Sequence, residues 1–122
     1  MTHSNVCQVN DELASTLATH RQELRRGTLV VACLLACRTP RYGYALLEYL
    51  AAAGLDAEAN TLYPLLRRLE GQGLLRAEWN TDEPRPRKYY SLTANGAAAT
   101  AQLRDEWARL STSLATLEKD TP

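Results

Sequence analysis

The chain has 122 residues, of which 45% are hydrophobic, and it carries 14 basic and 14 acidic side chains. This length and apolar content exclude a disordered chain and predict one folded domain with a modest core. The formal net charge of zero excludes a global attraction to polyanions, so any affinity for nucleic acid must come from local clusters of basic residues.

The N-terminal residues predict a separate amphipathic helix. Asn10 and Asp11 are suitable N-cap residues, and the leucines that follow recur at helical spacing up to Leu24. Gly27 interrupts this pattern, and because glycine lowers helix propensity we expect either a break or a close contact there. Residues 1–23 are therefore predicted to be an N-terminal extension that is partly helical.

An apolar run over residues 29–37 predicts a buried helix. It has about half of the roughly 20 residues that a membrane helix needs. The chain also begins without the charged and apolar regions of a secretory signal, so we expect a cytoplasmic protein without a membrane partner. Cys7, Cys33 and Cys37 form no CxxC motif, which argues against a disulfide framework. Cys33 and Cys37 share a helix face, either as small core residues or as a thiol sensor or metal pair.

A turn and a second helix follow. Proline cannot donate the helical amide hydrogen bond, so the residues around Pro40 are predicted to form a turn. Tyr42-Gly43-Tyr44 opens the next helix, and Gly54 is a suitable C-cap because glycine accepts the left-handed conformation. The chain then reaches its most strongly patterned segment.

Residues 60–70 predict an amphipathic helix around which the chain is organised. Its leucines at 62, 65, 66 and 69 form one apolar stripe that faces a core. Pro64 removes one backbone hydrogen bond, so the helix is expected to begin nearer to Pro64 than the stripe suggests. Gly71 and Gly73 are expected to end it. The remaining residues suit contact with phosphates and base edges: Asn60, Thr61, Tyr63, Pro64, Arg67 and Arg68.

A basic β-hairpin is predicted directly after this helix. Leu75, Ala77 and Trp79 can share one face of a first strand, and the tyrosines of residues 87–92 favour a second. The turn between the strands contains two prolines. The tip is basic through Arg85, Arg87 and Lys88, and we expect no acidic neighbours other than Asp82 and Glu83. An amphipathic helix that ends at glycines and is followed by a basic hairpin predicts a winged helix-turn-helix. The predicted fold class is mainly α with a small β-hairpin.

The last helix has a different spacing. Thr93 is a suitable N-cap, and the alanine-rich start favours helix by propensity. Its later apolar residues step by 4, 3, 4 and 3, which is a heptad seam: Leu103, Trp107, Leu110, Leu114 and Leu117. We interpret this seam as a dimer interface; the alternative is that it packs back onto its own domain.

Residue patterns of catalysis and metal binding are missing. No carboxylates are paired at a spacing for acid–base chemistry, and His3 and His20 lack neighbouring metal ligands. Gly-rich phosphate loops are missing too. We therefore predict a protein that is not an enzyme and that uses no cofactor or metal.

Several motifs carry a resemblance to a known family. They are Arg41-Tyr42-Gly43-Tyr44, the run from Asn60 to Glu70, Gly73-Leu74-Leu75, and Arg87 to Thr93 with Gly96. Their order and spacing resemble the PadR family of bacterial transcriptional regulators over about residues 24–117, and the short C-terminal helix resembles its smaller subgroup. This resemblance implies a winged-helix homodimer that binds an operator, usually as a repressor, and often releases it when a small molecule or stress signal arrives.

The resemblance divides the chain further. It implies a DNA-binding domain at 24–92, a dimerisation helix at 93–118 and a tail at 119–122. Helix 60–70 would enter the major groove, with Asn60, Thr61 and Tyr63 near base edges or phosphates and Arg67 or Arg68 on the backbone. The hairpin cations would contact phosphates. Each arginine has the alternative of being a solvated surface residue. Many members carry glycine at the position of Asn60. The asparagine side chain makes a base contact conceivable there.

Two further alternatives remain at this point. In some similar proteins, tryptophans at the place of Trp107 line a cavity at the dimer centre that stacks flat aromatic compounds, whereas plain interface packing is the other role for this residue. A winged helix can also dock proteins instead of DNA, and zero net charge permits such an interaction module.

Overall fold

The computed structural model describes the backbone of residues 3–120 and the side chains of residues 10–120. Within these limits the elements are α1 (His3–Ala36), β1 (Arg41–Tyr42), α2 (Gly43–Ala52), α3 (Ala59–Gly71), β2 (Leu75–Asn80), β3 (Arg87–Leu92) and α4 (Ala94–Lys119). The fold is mainly helical with a small antiparallel sheet, as predicted. The side chains of His3 and Cys7 and the end of the predicted tail lie outside the described residues.

The chain divides into two units, Met1–Val30 and Val31–Pro122. The described part of the first unit is helical, because α1 continues through Gly27 without a break. A Cβ atom at Gly27 would meet nothing within 4 Å, so the predicted break and the alternative close contact are both wrong. The predicted N-cap at Asn10 is also wrong, since that residue lies inside α1. One glycine costs a helix only about 1 kcal/mol, which its neighbours outweigh.

The core of the second unit is built from the end of α1, the two following helices and the sheet. Its buried hydrophobic residues are Ala32, Cys33, Leu34, Ala36, Cys37, Leu46, Leu50, Leu62, Leu65, Leu66, Leu69, Leu75 and Tyr90. The burial predicted for residues 29–37 begins only at Ala32, and Leu35 stays half-buried. Cys33 and Cys37 are fully buried, which supports their role as core residues. Among the described residues, no helix is long and apolar enough to cross a membrane.

The sheet has three strands in the order β1-β3-β2, all antiparallel. The predicted hairpin is present, with β2 and β3 in register from Leu75 opposite Leu92 to Asn80 opposite Arg87. β1 was not predicted, because two residues are too few to show a strand period. It pairs Arg41 with Tyr90 and so brings the start of α2 beside the hairpin.

Glycines end both helices of the helix-turn-helix. Gly54 and Gly73 have positive φ angles of 89° and 76°, which favour glycine. Leu74 N donates to Leu69 O at 3.0 Å and Gly73 N donates to Glu70 O at 3.0 Å, the hydrogen-bond pattern of a Schellman motif. Gly71 is the last residue of α3 and does not end it by its own conformation.

The N-terminus of α3 lies earlier than expected. The helix begins at Ala59, so the prediction of a start near Pro64 is wrong. Thr61 N and Leu62 N both donate to Glu58 O, at 3.0 and 2.9 Å, which satisfies the first turn before the proline is reached. Pro64 therefore removes one hydrogen bond close to the helix start, where the helix tolerates it.

α4 begins with the predicted cap and then leaves the core. Thr93 Oγ1 accepts from Gly96 N at 2.9 Å. Gly96 is buried, and a Cβ atom there would overlap the backbone oxygen of Leu74. Thr100 is buried as well, and its hydroxyl donates to Gly96 O at 2.7 Å. Every residue from 101 to 120 is exposed in the single chain, so the alternative that the seam packs back onto its own domain is wrong.

Candidate nucleic-acid interface

α3 presents two different faces. Leu62, Leu65, Leu66 and Leu69 are buried, as the leucine stripe predicted. The polar face is open to solvent at five of the six residues predicted to contact DNA: Asn60, Thr61, Pro64, Arg67 and Arg68. Arg67 and Arg68 form no ion pair among residues 10–120. Their guanidinium groups therefore remain available to an anionic partner.

Tyr63, the sixth of these residues, is half-buried between α3 and the start of α2. A Cβ atom on Gly43 would overlap the Tyr63 ring at Cε1, so the ring lies directly over the glycine backbone. This close approach brings the Tyr-Gly-Tyr segment that opens α2 into the same surface as the polar face of α3.

The hairpin carries its three predicted cations in different surroundings. Arg85 is exposed and forms no ion pair with any described residue. Arg87 is half-buried; its Nε lies 3.7 Å from Glu83 Oε2, and its Cζ lies 4.3 Å from the centre of the Tyr42 ring. These contacts hold the Arg87 guanidinium between the hairpin turn and β1.

Lys88 makes an ion pair that the sequence did not predict. Its Nζ lies 3.5 Å from Glu70 Oε1, on α3, and 5.5 Å from the centre of the Tyr90 ring. The expectation that Asp82 and Glu83 are the only acidic neighbours of the hairpin cations is therefore wrong. Glu70 and Lys88 are distant in sequence, and only the packing of α3 beside the hairpin brings them together.

An open groove lies beside the hairpin and the start of α2, and Tyr63 is the α3 residue that lines it. It is lined by Tyr42, Gly43, Tyr44, Tyr63, Trp79, Arg85, Pro86, Arg87, Lys88 and Tyr90. Tyr44 and Trp79 are 61% and 64% exposed, and neither was predicted as a site residue. The strand pattern placed Trp79 on the same face as Leu75. Periodicity predicts which residues share a face of a strand, but it does not predict how exposed each of them is. Aromatic rings beside cations form a surface suited to phosphates, sugars and base edges.

Two other arginines near the start of α2 have structural roles instead. Arg41 Nε donates to Ala36 O at 2.8 Å, and the Arg41 guanidinium lies 3.6 Å from the centre of the Tyr49 ring. Arg38 Nε donates to Leu35 O at 2.9 Å. Both side chains satisfy carbonyl groups at the C-terminus of α1, which have no partner within the helix.

The seam of α4 is a second exposed surface, separate from the groove. Leu103, Trp107, Leu110, Leu114 and Leu117 are 36%, 58%, 56%, 64% and 65% exposed. Trp107 is not among the residues that line the groove. Within the described part of the chain, no three His, Cys, Asp or Glu side chains group as a metal site would require.

The thiols of the core have shifted acidity. Burial raises the pKa of Cys33 from 9.0 to about 12, with a further rise from the nearby Cys37. Burial also raises the pKa of Cys37 to about 11, against an opposing effect of Arg41. Both groups are therefore protonated thiols at neutral pH, which does not suit a thiol sensor or a metal pair, because both need the thiolate.

Solved structures of transcriptional regulators are similar to this chain in sequence and fold. A crystal structure of a PadR family transcriptional regulator from Eggerthella lenta is 43% identical, with a TM-score of 0.82 over 93% of this chain and 99% of that one. A Streptococcus transcriptional regulator is 32% identical, with a TM-score of 0.71 over 78% of this chain and 96% of the other.

Sequence comparison agrees with these structures. A curated transcriptional regulator of Mycobacterium tuberculosis is 38% identical over 63 residues, which are 52% of this chain and 59% of the relative. The model of the transcriptional regulator PadR-like family matches residues 31–102, which contain the end of α1, both helices of the helix-turn-helix, the hairpin and the start of α4. The chain therefore belongs to the PadR-like family of transcriptional regulators.

Proposed function

We propose that the protein is a sequence-specific DNA-binding repressor that acts in the cytoplasm as a homodimer on an inverted-repeat operator. The observation that carries this proposal is the single surface formed by the polar face of α3 and the basic hairpin. A helix about 10–12 Å wide fits the major groove of B-DNA, and an adjacent hairpin can then reach the flanking backbone. Residues 24–92 form the DNA-binding part in this proposal.

The polar face of α3 reads the bases. Asn60, Thr61 and Tyr63 occupy its N-terminal half, where recognition helices contact base edges. Arg67 and Arg68 follow on the same exposed face and contact phosphates or guanine. A bidentate arginine–guanine contact contributes about 1–3 kcal/mol of discrimination against a wrong base. Pro64 shapes this face without contributing a donor.

The hairpin contributes affinity that does not depend on sequence. Arg85 is fully available, whereas Arg87 and Lys88 exchange a carboxylate partner for a phosphate. The salt slope is the steepness with which the logarithm of the binding constant falls as the logarithm of the salt concentration rises. Each phosphate neutralised by a cation adds about 0.9 to this slope. Zero net charge is compatible with this proposal because α3 and the hairpin tip supply a local group of five cations: Arg67, Arg68, Arg85, Arg87 and Lys88.

Residues 93–118 pair two copies through the seam of α4. Five exposed apolar side chains along one helix are a surface that water disfavours and a second copy can cover. Two copies of α3 then face successive turns of the major groove, and half-sites about 34 Å apart are expected. The seam includes Trp107, whose exposed ring offers a flat surface on which a small aromatic ligand stacks and releases the operator.

Selection from a random duplex library by the purified protein, followed by fluorescence anisotropy on the enriched duplex, tests the function. We expect an enriched inverted repeat and tight binding by the wild type. Arg67→Ala should weaken binding or alter the preferred sequence, while the matched variant Arg104→Ala, an exposed arginine on α4, should leave both unchanged. A library without enrichment and without binding would contradict DNA recognition and favour a protein-docking role.

A further inference from the structure

The cations of the hairpin are held by carboxylates of the same chain. Glu70 Oε1 lies 3.5 Å from Lys88 Nζ, and Glu83 Oε2 lies 3.7 Å from Arg87 Nε. The Tyr89 hydroxyl also donates to Glu83 Oε1 at 3.4 Å. The four charged side chains of these pairs are each 33–39% exposed, so the pairs are accessible to solvent, and their cations line the groove.

These carboxylates contact the same cations that the proposed function assigns to DNA phosphates. A lysine ammonium binds a carboxylate oxygen and a phosphate oxygen through the same kind of charge-assisted hydrogen bond. Lys88 and Arg87 both line the groove, and Glu70 projects from α3, which forms the adjoining surface. A bound DNA backbone and these carboxylates must therefore compete for the same two cations.

We propose that Glu70, together with Glu83, acts as an internal counterion that competes with DNA phosphates for the hairpin cations and so limits the affinity for DNA of any sequence. This inference rests on the proposed DNA-binding function. Glu70 then influences the affinity for DNA from its position on α3, although its negative charge does not favour direct contact with DNA. Base contacts from the polar face of α3 do not involve the two carboxylates. The competition therefore weakens the phosphate contacts alone, and base contacts contribute a larger share of the binding energy than they would without Glu70 and Glu83.

The competition has a signature in the dependence of binding on salt. When Lys88 moves to a phosphate, the DNA releases about one condensed counterion, but the Glu70 carboxylate left behind attracts cations from solution into its diffuse ionic atmosphere. The two changes oppose each other, so the wild-type salt slope is shallower than the number of phosphate contacts implies. Removing the Glu70 charge removes this opposing contribution.

The test compares Glu70→Gln, Lys88→Gln and the double variant by fluorescence anisotropy between about 50 and 300 mM salt, a range in which phosphate contacts dominate the salt dependence of binding. The probes are a 30-base-pair duplex of mixed sequence, about three helical turns, and the duplex selected by the wild-type protein. Glu78→Gln is the matched control, because Glu78 pairs with Arg76 at 3.9 Å outside the groove. Circular dichroism melts confirm that all variants are folded.

We expect Glu70→Gln to bind both duplexes about fivefold more tightly for each bound protomer, with a salt slope that is steeper by less than about 0.9. The gain should vanish in the Lys88→Gln background, and Glu78→Gln should change affinity less than about twofold. Unchanged or weaker binding by Glu70→Gln, or a gain that persists without Lys88, would overturn the competition while leaving DNA binding intact. Failure of the wild type to bind either duplex would overturn the proposed function, and this inference with it.

Discussion

At the scale of the residue, the shape of the candidate interface depends on a position without a side chain. Gly43 opens α2, and the ring of Tyr63 lies against it so closely that a methyl group would overlap the ring. The glycine thus sets where the Tyr63 ring emerges on the surface of α3. Helix propensity does not explain this residue, because alanine is the better helix former at any ordinary position.

Gly43→Ala should therefore displace Tyr63. We expect a loss of about 1–3 kcal/mol in the free energy of unfolding from overpacking, and DNA binding weakened by about tenfold. Chemical denaturation and anisotropy on the selected duplex measure the two effects. Adding Tyr63→Leu should recover the stability without recovering the affinity. Normal binding by Gly43→Ala would show that the ring position does not matter for recognition.

The two buried thiols make a second prediction at this scale. Since the pKa values of Cys33 and Cys37 are raised to about 12 and 11, both remain protonated and shielded in the folded protein at pH 8. In a Cys7→Ser background, iodoacetamide should modify neither thiol while the protein is folded and both after denaturation. Rapid labelling of the native protein, seen by mass spectrometry, would argue against their core role.

The same shifts give stability a pH dependence with a defined sign. A raised pKa in the folded state means that the native protein holds its protons longer than the unfolded chain does. The stabilisation is complete below pH 9.0 and is lost as the pH rises toward 11 and 12. Cys33→Ala/Cys37→Ala should show a smaller decline in the free energy of unfolding over this alkaline range than the wild type.

At the scale of the element, the start of α4 is fixed against the hairpin more firmly than any propensity requires. Thr93 N donates to Leu74 O at 3.2 Å, and the Thr93 hydroxyl donates to Gly73 O at 2.6 Å. Gly96 lies in the first turn of α4, against the carbonyl of Leu74. The end of α3, the start of β2 and the cap of α4 thus form one connected structure.

Two glycine-to-alanine variants test this connection. Gly96→Ala should lower the free energy of unfolding by about 3 kcal/mol, because the new methyl group meets a backbone carbonyl that cannot move aside. Gly27→Ala, within α1 and with open space around it, should instead stabilise the helix by about 0.5–1 kcal/mol. Equal effects of the two variants in urea denaturation would contradict the close contact at Gly96.

At the scale of the whole molecule, the exposed second half of α4 requires a partner in the proposed function. Leu110 and Leu114 lie at the middle of the seam and are more than half exposed in the single chain. An operator with two half-sites is read by two copies of α3, and these copies are held at a fixed spacing only if the chains are paired.

Leu110→Asp/Leu114→Asp should yield monomers with poor DNA binding. Loss of a central interface side chain costs about 2 kcal/mol, roughly thirtyfold in the dimer dissociation constant for each residue. Thr112→Asp/Thr116→Asp adds the same charges on the opposite side of α4 and should leave the dimer intact. Sedimentation velocity decides the result: persistent dimers in the leucine variant would place the interface elsewhere.

The sequence by itself determined the features that depend on neighbouring residues. The leucine stripe of α3, the Thr93 cap, the left-handed Gly54 and Gly73 and the strand over residues 87–92 follow from periodicity, capping and backbone sterics within a few residues. The exposed polar face of α3 followed in the same way. The family followed from the order of these local signals along the chain.

Only the tertiary structure decided the features that join distant segments. β1 is too short to have a pattern of its own and exists because β3 lies beside it. The pairing of Glu70 with Lys88 and the contact of Gly43 with Tyr63 depend on how closely helix and hairpin pack. The continuity of α1 through Gly27 is different, because it depends on the neighbouring helical residues, which outweigh one weak residue, and not on a distant segment. Contacts between distant segments arise from the packing of the whole fold, and no short stretch of sequence encodes them.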